Sequence, residues 1–195
     1  MSRQMWSECL AWAVASGTAV TNTTTETILF PNITIPGNYM GDGRALRFFA
    51  TGGWGTVVTA TKTLNLKLRW GGVAGTVLAQ TVSVALGTVA QGGGASRTAI
   101  WTLEGVIQTR SNGATGTLFT SGRWVLNTAA TPTLQTVTDY GLALALASGS
   151  TGGTTPVAVT ADLTADTALS LTATWGTADA ANSIIGHVYM LEALN

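Results

Sequence analysis

The sequence predicts an all-β protein, a two-sheet antiparallel sandwich with a short N-terminal arm. Three observations carry that prediction. Apolar and polar residues alternate with period two, which marks strands with one face in a core and one toward water. Glycine and threonine are abundant, as expected of strands joined by tight turns. Roughly ten such strands share one chain, and they need two packed layers because a single open sheet leaves an apolar face exposed.

Residues 1–17 stand apart from residues 18–195, which form the sandwich domain. Ser7 is placed to cap a short helix with Leu10, Ala13 and Val14 along its apolar edge. The alternative is an arm that orders only on a neighbouring subunit, with Trp6, Leu10 and Trp12 as its assembly interface. On that reading, removing residues 1–16 leaves the sandwich folded and weakens assembly. Glu8 interrupts an already short apolar run, so the segment is not read as a signal peptide.

The clearest strand places Leu64, Leu66, Leu68 and Trp70 on one face and Asn65, Lys67 and Arg69 on the other. Lys67→Asp is therefore expected to act as a surface change, and Leu66→Asp or Leu171→Asp to abolish folding. Trp101, Leu103 and Ile107 form the inward face of a second strand, and Leu169, Leu171, Ala173 and Trp175 that of a third. Weaker strands are predicted over 26–35, 44–50, 57–60, 76–86, 117–127, 140–147, 156–163 and 184–191. The last is apolar on both faces, so it is central in a sheet or covered by a neighbour. Stretches 72–79 and 113–120 share the pattern G-x-x-G-T followed by two large apolar residues, and read as equivalent hairpin turns. Gly-rich 91–95 and 148–155 read as loops.

Composition bounds function. Hydrophobic residues make up 46% of the chain and charged residues only 9%, far below the usual quarter. So few charges suit a protein that lives within an assembly. Nine basic and nine acidic residues cancel, without a basic run to draw a phosphate backbone, so no nucleic acid partner is expected. No run approaches a membrane span, so no membrane partner is expected. The one cysteine, Cys9, forms no internal disulfide.

Catalytic groups are scarce. His187, the sole histidine, sits in a strand-like run and reads as structural or interfacial. Glu104, Asp139, Asp162, Asp166 and Asp179 are the candidates for a glycosidase carboxylate pair, but their spacing favours no pairing. One histidine and one cysteine cannot fill a zinc shell, and no calcium loop is present, so no metal or cofactor is expected. Of the seven tryptophans, Trp70, Trp101 and Trp175 fall on inward positions. Trp54 and Trp124 follow glycine-containing stretches and are the two candidates for exposed sugar-stacking platforms, although covering the ends of the sandwich is the preferred role.

Several stretches carry a resemblance. They are Gly17-Thr18-Ala19-Val20-Thr21-Asn22-Thr23-Thr24-Thr25-Glu26-Thr27, Ile33-Thr34-Ile35-Pro36, Leu64-Asn65-Leu66-Lys67-Leu68-Arg69-Trp70-Gly71-Gly72 and Trp101-Thr102-Leu103-Glu104. Leu169-Ser170-Leu171-Thr172-Ala173-Thr174-Trp175-Gly176-Thr177-Ala178 and Asn182-Ser183-Ile184 complete them. Together they resemble a family of small virion structural proteins of tailed bacteriophages, from Gly17 onward. The resemblance implies a sandwich of jelly-roll type, no enzyme activity and a location in the virion. It carries no catalytic residues. The leading expectation is a capsid decoration or cement protein, a homo-oligomer such as a trimer, partnered by the major capsid protein. The alternative is a tail- or fibre-associated module that contacts the host surface and binds glycans.

Overall fold

The computed structural model describes residues 7–56, 62–86, 97, 99–127, 142–150 and 155–194, and every regular element among them is a β-strand. In chain order these are β1 (Ser7–Trp12), β2 (Val20–Thr21), β3 (Thr27–Ile28), β4 (Ile33–Ile35), β5 (Ala45–Gly55), β6 (Thr63–Trp70) and β7 (Thr76–Thr81). There follow β8 (Val84–Ala85), β9 (Ala99–Ser111), β10 (Gly116–Leu126), β11 (Leu142–Ser148), β12 (Val159–Ala161), β13 (Thr167–Trp175) and β14 (Ser183–Leu194). The segments 57–60 and 91–95 and residues 151–154 of the loop 148–155 lie outside the described residues.

The all-β antiparallel class is as the alternation predicts, but two separate sheets of jelly-roll type are not formed. One continuous sheet runs β1-β14-β5-β9-β10-β11-β7-β6-β13-β3, with β2 on β14, β4 on β13, β8 on β6 and β12 on β10. The leaves of the expected sandwich are tied together where β11 pairs with β7 at Leu146↔Thr81, Ala147↔Gln80 and Ser148↔Ala79. The sheet then curls, so that Phe48 of β5 and Leu191 of β14 meet Leu68 of β6 and Leu171 of β13 round one interior space. Four tryptophans (Trp54, Trp101, Trp124 and Trp175) are fully buried in this core with Leu46, Leu64, Leu66 and Leu103.

Residues 17–29 bridge the two ends of the curl. Gly17 N donates to Gly186 O on β14 at 2.9 Å, while Leu29 N donates to Leu171 O on β13 at 2.8 Å. Between them the Trp175 indole donates to Val20 O at 3.2 Å. The strand predicted over 26–35 is therefore two short pieces, β3 and β4. Leu29 keeps that one backbone bond to β13, and the side chains of Leu29 and Phe30 turn into the core between the two pieces. Phe30 packs edge-on to Tyr189 at 4.8 Å between ring centroids.

The predicted hairpins both form. Gly75 N donates to Gly72 O at 2.9 Å, and Gly116 N to Gly113 O at 3.0 Å, so the two turns close in the same way. Gly72 and Gly113 have φ of +78° and +111°, a region where side chains are strained. β14 lies between β1 and β5, the central one of the two placements expected from its two apolar faces.

The helix that Ser7 was expected to cap is absent. Residues 7–12 instead form β1, paired antiparallel with β14 from Ser7↔Leu194 to Trp12↔Met190. A ready-made ladder of unpaired β14 groups satisfies the β1 backbone hydrogen bonds, which outweighs a marginal single helical turn.

Candidate functional site

The expected sugar platforms are not at the surface. Trp54 and Trp124 are both fully buried, with Trp54 Nε1 donating to Asn127 O at 3.1 Å. Each follows the inward parity of its own strand: Trp124 lies in step with Leu118 and Leu126, and Trp54 with Leu46 and Ala50. Of the expected assembly residues, Trp6 lies outside the described residues and Leu10 is half-buried against the core. Trp12 is 61% exposed.

The register explains where Trp12 points. Directly opposed residues of a ladder share one face of the sheet. The pairs Trp12↔Met190, Met190↔Phe49, Phe49↔Glu104 and Glu104↔Arg123 thus form one outward row across β1, β14, β5, β9 and β10. The adjacent outward row is Glu192, Arg47, Val106 and Ser121. Between the rows lies an open trough of about 620 Å³ whose floor is the backbone at Phe48, Gly105 and Gly122. Its size suits a small-molecule or oligomer ligand.

On the core side of that floor, glycine leaves room for the Phe48 ring. A Cβ on Gly105 would sit 2.5 Å from Ser121 O and 2.7 Å from Phe48 Cζ, and one on Gly122 would sit 2.3 Å from Glu104 O. Any larger residue at this facing pair would push β9 and β10 apart.

The walls of the trough alternate in chemistry. In one row apolar Met190 and Phe49 adjoin the ion pair of Glu104 with Arg123; in the other, Arg47, held by Glu192 from outside the lining, adjoins Val106. Arg47 Nε donates to Glu192 Oε2 at 2.8 Å, and Arg123 Nε donates to Glu104 Oε1. Both guanidinium groups face solvent, with side-chain exposures of 55% and 70%, and each keeps donors beyond those its partner uses. The site therefore offers half-buried apolar faces beside oriented polar groups.

The Phe48-Phe49 doublet was the sequence signal for this site. In a strand only one of two adjacent side chains can face the core, so one aromatic had to face out. Met190 and Arg47 gave no comparable signal, because their place in the rows depends on pairings distant in sequence.

The described carboxylates named as catalytic candidates have structural partners. Glu104 pairs with Arg123 and Asp166 accepts from Gly37 N at 2.8 Å. Asp162 accepts from Thr164 N and its hydroxyl, which hold its carboxyl below the usual range. Asp179 accepts from buried Lys62 at 3.1 Å and from Ala181 N at 2.9 Å. Asp139 lies outside the described residues. His187 is exposed, its Nδ1 2.8 Å from Ser16 Oγ. Among the described residues no His, Cys, Asp and Glu group is arranged to hold a metal ion.

No protein-family profile matches the chain, and no curated protein matches it. Among solved structures the chain is similar to the CBM2 module of Lactobacillus casei BL23 phage J-1 evolved Dit, at 10% identity and a TM-score of 0.36, over 99% of this chain and 98% of that one, a likeness too distant to place it in a family.

Proposed function

We propose that the protein is a non-enzymatic, tail- or fibre-associated module of a bacteriophage virion that binds a saccharide of the host surface in the outward trough. The observation that carries this reading is the trough itself: Phe49 and Met190 stand in register with exposed Trp12 and beside two pre-oriented Arg–Glu pairs. Sugar rings have apolar C–H faces that pack on such surfaces, and hydroxyls that exchange hydrogen bonds with guanidinium and carboxylate groups. The likeness of the chain from Gly17 onward to virion proteins of tailed phages supports the location.

Capsid decoration rests on the charge-poor, neutral composition and draws on no feature of the sheet. Copy number separates the two readings, since hundreds of copies per particle place the protein on the head and a handful place it on the tail. The binding test is retention of the protein on immobilised host cell-wall polysaccharide. Phe49→Ala should lower affinity at least tenfold, about 1.4 kcal/mol, while the sheet stays folded at the assay temperature. Ile100→Ala, an exposed change outside the trough lining, should not. Equal retention of wild type and Phe49→Ala would defeat the assignment to this trough.

A further inference from the structure

We infer that the trough takes an uncharged, extended saccharide chain of about four rings, bound along the register row by its middle. This rests on the saccharide reading of the trough and narrows it to one class of ligand.

Charge selects the class. Each of the two trough arginines is engaged by a glutamate, so the four ionised groups sum to zero. An anionic sugar acid or phosphate would have to displace Glu192 or Glu104 from its arginine, or sit beside that carboxylate. Either course places like charges together without net Coulomb gain. A neutral hydroxyl meets no such opposition. It accepts from the unused guanidinium donors and donates to the free carboxylate lone pairs.

Geometry selects the shape. The row from Trp12 to Arg123 crosses five strands, and strands lie ~4.8 Å apart, so it spans roughly 19 Å. Trp12 and Phe49 are two strands apart, ~10 Å, close to the span of two sugar rings in an extended chain. The trough is open rather than closed by a wall, so a chain can continue past the row.

The test is an array of linear neutral and acidic oligosaccharides of two to eight rings at equal density, probed with the full chain at low and high salt. The expected result is binding to one or more neutral series. Affinity should rise to about four rings and then level off, and it should change less than twofold with salt, because no counterions are released. Glu192→Gln frees the Arg47 charge, so this variant should gain binding to acidic oligomers, and that gain should fade in high salt. Trp12→Ala should lose at least fivefold on four rings and little on two. Stronger binding of acidic than neutral chains, salt-dependent binding of neutral ones, or affinity that is already maximal at two rings would overturn this inference and leave the saccharide reading standing. Absence of binding to every glycan, with host polysaccharide also not retained, would overturn both.

Discussion

Glu26 shows how one residue decides the character of a whole face. Burial alone would raise its carboxyl pKa, but hydrogen bonds from Arg69, Lys67 and Thr172 outweigh that and hold it at about 2. Lys67 Nζ approaches Glu26 Oε2 at 2.8 Å and the Thr172 hydroxyl donates to Glu26 Oε1 at 2.6 Å. Part of the outward face of β6 and β13, which alternation assigns to water, is therefore covered: Glu26 of the bridging segment seats on Thr172, the Ser170 hydroxyl donates to Asn32 Oδ1 at 2.6 Å, and both Ser170 and Thr172 are buried. Lys67→Asp is accordingly no neutral surface change. It should cost about 2 kcal/mol, because it removes one partner of Glu26 and sets a second carboxylate beside it, and a thermal melt reads the loss. A second prediction concerns pH. Because the folded pKa lies below the ordinary 4.5, the stabilisation from Glu26 is complete above about pH 4.5 and is lost as pH falls toward 2. Glu26→Gln should be less stable than wild type by about 1–2 kcal/mol at neutral pH, after solvent screening, and the difference should vanish near pH 2. A constant difference across that window would mean the network adds nothing.

At the scale of the element, β14 carries the most information. Its ladder with β5 shifts register between Gly186 and Val188, so His187 is the extra residue of a bulge. The bulge switches parity along the strand: Ile184 and Gly186 face the core before it, and Tyr189, Leu191 and Ala193 after it. A run that is apolar on both faces in the sequence thus has two physical causes, a parity switch and an outward row that lines the trough. Beforehand the central position was one of two readings, beside cover by a neighbour. Alternation does reveal β6, β9 and β13, because each keeps one parity over its whole length. It misses the break between β3 and β4, since the inward turn of Leu29 and Phe30 depends on a space that β14 provides. That space exists because residue 186 is glycine: a Cβ there would lie 2.1 Å from Phe30 Cζ. Gly186→Ala should therefore lower stability by ~1–3 kcal/mol, while Gly41→Ala, with open space around its Cβ, should cost far less. Phe30→Leu added to Gly186→Ala should recover part of the loss, a non-additivity that denaturant titration of the four variants would reveal. Strict additivity would show that the two residues do not compete for the same space.

For the whole molecule, the question is what holds a curled sheet shut when its two ends are not hydrogen-bonded strand to strand. The bridging segment does so on one side, and β1 completes the other by covering the free edge of β14. Leu10, Ala11 and Ala13 add apolar contact to the core, and Ala13 N continues the pairing to Tyr189 O at 2.9 Å. This pairing changes the expectation for residues 1–16. An arm ordered only on a neighbour is dispensable to the fold, whereas an edge strand on the long, apolar β14 is not. Its removal should lower stability by about 2–4 kcal/mol, from lost burial and lost ladder bonds. It should also open most of β14 as a new edge, which invites pairing between chains. Melting and sedimentation of the 17–195 fragment would show both effects as a lower midpoint and concentration-dependent association. Trp12→Ala supplies the contrast, because that side chain is mostly free and ends the register row next to Met190, outside the trough lining. It should leave the midpoint within about 0.5 kcal/mol of wild type while weakening saccharide binding. A fragment that melts like the full chain and stays monomeric would mean that β1 is an appendage, with closure of the curl resting on residues 17–29 alone.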